Sequence, residues 1–185
     1  MATVRTGSRS VLLVVDFQVD VVKDGWQAER VGARIAQAVA RAREAGVPVA
    51  WVRHEHDEMV RGSAGWQYAA GLAPADGEVC IDKKYNSAFD ETPLEAELAR
   101  LGATRLVLAG AMTNFCIRST AYAALERGYD LTLLEDAHTT SDIDLGKGNM
   151  LLAKGVVDDL NATVQWLEYP GRVCQAKSVA EVGFA

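Results

Sequence analysis

The sequence lacks the marks of several classes of protein. Its apolar runs, such as residues 11–15, are far shorter than the ~20 residues that span a membrane, and no signal-peptide segment follows the basic N-terminal residues. Only three cysteines occur, Cys80, Cys116 and Cys174, and none of them has C-x-x-C spacing. An odd number of cysteines without a secretory signal predicts free thiols in a cytoplasmic protein.

Basic residues are also in deficit. The 185 residues include 19 lysines and arginines against 25 aspartates and glutamates, a formal net charge of −6 at pH 7, and no basic cluster occurs. This balance argues against a nucleic-acid or membrane partner. The chain has only four prolines and no repeat or linker. Its length and this uniform composition predict a single domain over residues 1–185.

Short apolar runs alternate with amphipathic segments along the chain. We predict strands over residues 11–15, 47–52, 78–82, 105–109, 131–134 and 173–176, and helices over residues 29–45, 93–102, 114–128 and 147–160. Repeated strand–helix units favour the α/β class, as a three-layer α/β/α sandwich with a mostly parallel central sheet. In such folds the functional site lies at the carboxyl ends of the strands.

Chemically versatile side chains follow three of these predicted strands. Cys116 lies in the first turn of a helix, where unpaired N–H groups lower a thiol pKa and favour the nucleophilic thiolate; a buried structural thiol is the alternative. Asp16 ends the first strand, where a carboxylate suits a general base or a loop cap. Lys83 and Lys84 follow the third strand, and the spacing alone does not decide which of them faces inward.

The histidines give a weaker signal. His54 and His56 alternate after a predicted strand, which is a possible start of a zinc or iron site, but a third ligand is lacking nearby and His138 is distant in sequence. A polar loop is the favoured interpretation, and no metal is predicted. The nucleotide-binding and serine-hydrolase motifs G-x-G-x-x-G, G-x-x-x-x-G-K-[ST] and G-x-S-x-G do not occur, so no cofactor is expected.

Three segments of the chain, in order, carry a resemblance to a known family. VLLVVDFQVD contains Asp16, EVCIDKKYNSAFDETPLEAELARLGATRLVLAG contains Lys83, and AGAMTNFCIRSTAYAALERGYDLTLLEDAHTT contains Cys116. The chain resembles the isochorismatase-like cysteine hydrolases, which include nicotinamidases, N-carbamoylsarcosine amidases and ureidoacrylate-type amidases. The likeness spans residues 10–182, and three such segments in this order are highly specific.

The resemblance implies a catalytic triad of aspartate, lysine and cysteine. Asp16 is then the base that takes the thiol proton, and Cys116 is the nucleophile. The lysine is Lys83 rather than Lys84, because the family's lysine comes four residues before the serine of the SAF motif, which is Ser87 here.

The resemblance also implies a reaction and an assembly. A non-proline cis peptide bond is expected between Ala111 and Met112, with the amides of Met112 and Cys116 forming an oxyanion hole. The expected activity is hydrolysis of a C–N bond (amide, imide or carbamoyl) in a small molecule through a thioester. The family resemblance further implies a homodimer or homotetramer.

Two other functions stay open at this point. A vinyl-ether hydrolase of the isochorismate-cleaving type is disfavoured because that branch of the family lacks the nucleophilic cysteine. A redox-sensing thiol protein without enzymatic activity is disfavoured because a sensor needs no general base. A metal-assisted nicotinamidase is also disfavoured, since the loop after His54 lacks the Asp-x-His order.

Candidate substrate contacts lie near the triad or in the long loop over residues 54–78. A few polar groups between aromatic walls would suit a small planar substrate, although loop packing is the alternative for each residue. The candidates are Gln18, Trp66, Tyr85, Asn114 and Phe115.

Overall fold

The computed structural model describes residue 5 and residues 7–184. Its strands are β1 (Ser10–Val15), β2 (Val49–His54), β3 (Val79–Lys83), β4 (Arg105–Ala111), β5 (Asp130–Thr139), β6 (Ile143–Gly146), β7 (Asn149–Leu151) and β8 (Cys174–Lys177). Its α-helices are α1 (Val19–Val22), α2 (Ala28–Glu44), α3 (Leu94–Arg100), α4 (Arg118–Glu126) and α5 (Ala153–Trp166). Within this described part, no helix has the length and apolar character needed to cross a bilayer.

Six strands form one parallel sheet in the order β3-β2-β1-β4-β5-β8. The central strand β1 is buried on both faces because its six residues, SVLLVV, are almost all apolar. Val11, Leu13 and Val15 pack towards α3, α4 and α5, whereas Leu12 and Val14 pack towards α2. This confirms the predicted three-layer α/β/α sandwich with a parallel central sheet.

One predicted helix begins later than expected. Residues 147–152 do not belong to it, because β6 and β7 form an antiparallel hairpin whose turn has Gly146 and Gly148 at φ +81°. These left-handed positions suit glycine and break a helix. Helix α5 begins only at Ala153, whose N–H group donates to the Asp142 side chain over 2.7 Å.

The order in which strands are added to the sheet reverses between the neighbouring strands β1 and β4. Strands β1, β2 and β3 run outward to one edge, and β4, β5 and β8 to the other. Such a switch point opens a crevice at the carboxyl ends of the two central strands. The backbones meet closely there: a Cβ atom at Gly110, which has φ +129°, would lie 1.9 Å from the Val15 carbonyl oxygen. Glycine at this position therefore lets the end of β4 lie against the end of β1.

Candidate active site

Four side chains from four neighbouring strand ends converge in the crevice. Asp16 follows β1, His54 ends β2, Lys83 ends β3, and Cys116 follows β4. The Lys83 Nζ atom lies 2.6 Å from Asp16 Oδ2, 3.2 Å from Cys116 Sγ and 3.1 Å from His54 Nδ1. The aspartate, lysine and cysteine expected from the sequence are thus in direct contact, and a histidine joins them.

The Lys83 ammonium is the centre of this cluster. Lys83 is 2% exposed, and a buried cation is costly unless it is paired and hydrogen-bonded. Its Nζ atom also donates to the Tyr85 carbonyl oxygen over 2.9 Å, so its neighbours supply acceptors on several sides. Lys84, in contrast, is exposed. The alternation of a strand separates the two lysines and turns Lys83 inward.

The Asp16 carboxyl group is equally buried. It is 1% exposed, and burial raises its pKa above the ordinary value, although the charge and hydrogen bond of Lys83 oppose this shift. A hydrogen bond with the Cys116 side chain opposes the shift as well. The carboxylate therefore contacts both the Lys83 ammonium and the thiol whose proton it would take.

Cys116 lies in a π-helical turn rather than in a regular first α-turn. This turn, Thr113–Ile117, leads directly into α4, and the Ile117 N–H group donates to the Met112 carbonyl oxygen over 3.2 Å. Such turns often occur at functional sites. Here the turn leaves the thiol 8% exposed on the floor of the crevice.

The electrostatic state of the Cys116 thiol corrects an expectation from the sequence. A helix start and a neighbouring lysine predict a low thiol pKa, but burial raises the pKa of Cys116 to about 12, and the Asp16 charge acts in the same direction. Lys83 opposes this shift without reversing it. The resting thiol is therefore protonated near neutral pH, and it needs a base before it can act as a nucleophile.

A buried polar chain holds the turn that carries Cys116. Thr113 Oγ1 lies 2.9 Å from His138 Nδ1, and His138 Nε2 lies 2.8 Å from Asn161 Oδ1. Because the Asn161 amide nitrogen donates to the Glu135 carbonyl oxygen, its Oδ1 atom is free to accept, so we assign the His138 proton to Nε2. Burial lowers the pKa of His138 to about 4, which keeps the imidazole neutral near pH 7.

The cluster lies at the base of a cavity of about 490 Å³. Asp16, His54, Met112 and Cys116 line it, and the Ala111–Met112 peptide bond at its wall is cis. The mouth is rich in charge, with three carboxylates and one ammonium group contributed by Asp20, Asp24, Glu58 and Lys23. A cavity of this size accommodates a small molecule.

Comparison with known proteins identifies the family. A family model described as "Isochorismatase domain" matches residues 10–157. The chain belongs to the isochorismatase family. A crystal structure of an isochorismatase from Pseudomonas putida has the same fold, with a TM-score of 0.83 and 27% identity over 94% of this chain and 90% of that one.

Some of the proteins similar to this chain have names that state an activity. A streptothricin hydrolase from Streptomyces noursei is 33% identical over 144 residues, which cover 74% of this chain and 57% of that protein. The ureidoacrylate amidohydrolase RutB from Methylobacterium radiotolerans is 30% identical, with 87% of this chain and 80% of that protein covered. The chain therefore spans less than two thirds of the first relative and most of the second. The chain is therefore related to proteins that are named as hydrolases.

Two of the five candidate substrate contacts have side chains at the surface near the site. Phe115 lines the cavity and is 42% exposed. Tyr85 is 50% exposed and lines a neighbouring depression together with His56 and Lys84.

The other three candidates lie outside the cavity lining, each with another partner. The Gln18 amide donates to the carbonyl oxygens of His54 and Trp66, each over 2.9 Å, and accepts from the His54 N–H group over 2.7 Å. Trp66 stacks beneath Arg53, whose guanidinium carbon lies 3.5 Å from the ring centre. Asn114 accepts a hydrogen bond from the Thr140 hydroxyl over 2.7 Å. Gln18 thus holds the end of β2 by hydrogen-bonding to both the N–H and the C=O group of His54.

His54 also belongs to the site, although the sequence indicates it only as a possible metal ligand. Burial and the neighbouring Lys83 charge lower the pKa of His54 to about 4, so its imidazole is neutral near pH 7. Its Nδ1 atom then accepts a hydrogen bond from Lys83. His54 lies beside Asp16 and Lys83 because β2, which it ends, lies between β1 and β3 in the sheet. The sequence alone does not give that strand order.

Proposed function

We propose that this isochorismatase-family protein hydrolyses a C–N bond of a small amide, imide or carbamoyl compound through a thioester on Cys116. The observation that carries the proposal is the buried Lys83 ammonium, which contacts both the Asp16 carboxylate and the Cys116 sulfur beneath an open cavity. A relative named as an amidohydrolase supports the same reaction class.

In the first half of the reaction, Asp16 removes the proton from the Cys116 thiol. Lys83, at 3.2 Å from the sulfur, stabilises the thiolate as it forms. The thiolate attacks the substrate carbonyl carbon, and the negative charge moves to the carbonyl oxygen. The amides of Met112 and Cys116 would donate to this oxygen, an interaction worth roughly 3–4 kcal/mol per donor in enzymes where it has been measured.

Collapse of the tetrahedral intermediate breaks the C–N bond. The proton held by Asp16 passes to the leaving nitrogen, so that ammonia or an amine departs and an acyl group stays on the sulfur. In the second half, Asp16 takes a proton from a water molecule that attacks the thioester. The C–S bond then breaks, and Asp16 returns the proton to the Cys116 sulfur. The products are a carboxylic acid and the free Cys116 thiol, and one water is consumed for each bond broken.

The state of Cys116 argues against the redox-sensor alternative. A sensor thiol is exposed and of low pKa, whereas burial raises the pKa of Cys116 to about 12 and leaves it 8% exposed. A thiol that ionises only when a base removes its proton suits a catalytic nucleophile. Cys80 is the exposed thiol of this chain, and it lies outside the cavity lining.

The activity test is the release of ammonia or amine from a panel of small amides, ureides and nicotinamide. The panel includes cationic, neutral and anionic members, because the cavity mouth carries three carboxylates and one lysine. We expect activity in the wild type and in Cys80→Ser, loss of activity in Cys116→Ala, and no effect of a chelator. Full activity in Cys116→Ala on a substrate of the wild type would refute the proposal.

A further inference from the structure

Three atoms in the crevice form a set of metal donors. Asp16 offers a carboxylate oxygen, His54 a ring nitrogen and Cys116 a sulfur, and these atoms all lie within 4.8 Å of one another. Carboxylate, imidazole and thiolate are the ligand types that bind Zn²⁺. Among the residues that the structure describes, this is the one group of three such side chains close enough to share an ion.

A cation already lies against all three. The Lys83 Nζ atom is 2.6 Å from Asp16 Oδ2, 3.1 Å from His54 Nδ1 and 3.2 Å from Cys116 Sγ. The lysine stem is buried and enters from β3, whereas the cavity opens on the other three residues. The ammonium therefore lies where the three donor atoms would direct a metal ion.

The donor atoms need only small movements to reach coordination distances. Zinc binds carboxylate oxygen at about 2.0–2.2 Å, imidazole nitrogen at about 2.0–2.1 Å and thiolate sulfur at about 2.3 Å, so each donor would move inward by about 0.5–1 Å. In tetrahedral geometry these donors would lie about 3.4–3.6 Å apart, below their present limit of 4.8 Å. The cavity leaves room for a water as the fourth ligand, and it provides the path of entry.

We propose that Asp16, His54 and Cys116 form a binding site for a thiophilic divalent cation, which binds in place of the Lys83 ammonium. Zn²⁺ is the metal that fits the donors, and Co²⁺ is its spectroscopic substitute. Metal binding ionises the Cys116 thiol, because a coordinating thiol loses its proton outright, and it occupies the base and the nucleophile together. This site does not require that the protein hydrolyse amides, so its test stands apart from the proposed function.

The Lys83 charge makes the wild-type site a weak one. A bound divalent ion must displace the ammonium and then tolerate a positive charge a few ångströms away. The repulsion between these charges is worth more than a tenfold change in affinity even at an effective dielectric constant of 20. Lys83→Leu removes the charge without adding a donor atom, so we expect it to lower the apparent Kd for Co²⁺ at least about tenfold.

The first experiment is a titration of the wild-type protein with Co²⁺, followed by absorbance. We expect a near-ultraviolet thiolate-to-cobalt charge-transfer band that grows to a plateau with excess Co²⁺ and fits one ion per chain, and competition of Zn²⁺ for the same site. The band should be lost in Cys116→Ser and in His54→Phe. It should be unchanged in Cys80→Ser and in His56→Phe, which are matched controls for the exposed thiol and the neighbouring imidazole.

Two results would overturn the inference. One is the absence of a charge-transfer band in both the wild type and Lys83→Leu, with circular dichroism showing that both proteins are folded. The other is a band that persists in Cys116→Ser or disappears in His56→Phe, which would assign the metal to other ligands. If the Lys83→Leu protein does not fold, the wild type and the two ligand variants decide the question alone.

Discussion

At the scale of single residues, the site depends on how a buried thiol loses its proton. Burial raises the pKa of Cys116 to about 12, so the thiol is protonated near neutral pH until a base removes its proton. The Asp16 carboxylate, which contacts both Lys83 and the Cys116 thiol, is the base within reach. The Lys83 ammonium opposes the rise that burial causes in the pKa of Asp16, and it stabilises the thiolate that forms.

Asp16→Asn should therefore lower kcat/KM by about 10²- to 10⁴-fold, which is the usual contribution of a general base. The residual rate should rise with pH, because the thiol must then ionise without a base. The measurement is kcat/KM across pH on a substrate found in the panel. Asp158→Asn, on the exposed face of α5, is the control and should behave as the wild type. A rate within threefold of the wild type in Asp16→Asn would contradict this role.

At the scale of elements, the approach of β4 to β1 brings nucleophile and base together. Gly110 pairs with Val15 in the parallel ladder, and its φ of +129° is a backbone conformation that side chains rarely adopt. The neighbouring Asp16 lies at φ +50°, in the left-handed region that aspartate tolerates better than most residues. The backbone around the switch point is thus shaped to turn Asp16 towards Cys116.

Gly110→Ala should destabilise the protein strongly. Its Cβ atom would lie 1.9 Å from the Val15 carbonyl oxygen, and such overpacking costs about 1–3 kcal/mol or more. Gly155→Ala is the matched control, because Gly155 lies in α5 with open space around it. Alanine in the helix should raise the free energy of unfolding by roughly 0.5–1 kcal/mol. Urea unfolding measures both. Equal stability of the two variants would show that the close approach at Gly110 is not needed.

The elements that the sequence predicts well are those with continuous apolar runs. The predicted strand over residues 11–15 differs from β1 by one residue, since a strand buried on both faces must be apolar throughout. The prediction stops β5 at residue 134, five residues before its end at Thr139, because EDAHT has no apolar pattern and still pairs with β4 past an irregularity. Hairpin β6–β7 is missed because all of its strand residues except the half-buried Ile143 are exposed, so that they give no burial pattern.

The site was predictable only in part, and for a different reason. Asp16, Lys83 and Cys116 each follow a strand, but their assignment as a group came from a family resemblance and not from periodicity. Predicting that His54 joins the site would have required the strand order, which places β2 beside both β1 and β3. The raised pKa of Cys116 results from the burial of the π-helical turn. Rules for isolated helices do not predict that burial.

At the scale of the whole molecule, His138 links stability to pH. Burial lowers its pKa from 6.5 to about 4, so the folded state binds a proton less readily than the unfolded chain. Its contribution to stability is therefore complete above pH 6.5 and is lost progressively as the pH falls towards 4. His54 has a pKa lowered in the same direction and adds to the same slope.

We expect the free energy of unfolding to fall between pH 7 and pH 4.5 less steeply in His138→Gln than in the wild type. Glutamine keeps a polar group near Thr113 and Asn161 but does not titrate. Urea denaturation at several pH values provides the slopes, and His56→Gln, which changes an exposed imidazole, is the control. An unchanged slope in His138→Gln would mean that His138 is not held neutral in the folded protein.

The assembly of the molecule stays a prediction. The family resemblance implies a homodimer or homotetramer, and light scattering coupled to size-exclusion chromatography would give the mass in solution. A mass of 19.9 kDa would identify a monomer and contradict the expectation.

The covalent intermediate is the most direct test of the mechanism. A substrate from the panel is mixed with the protein, the reaction is stopped with acid during turnover, and the intact protein mass is measured. We predict an added mass equal to the acyl group, located on the peptide that contains Cys116 and absent from Cys116→Ser and from protein without substrate. Turnover that proceeds with no such adduct, and that survives in Cys116→Ser, would contradict a thioester mechanism on this cysteine.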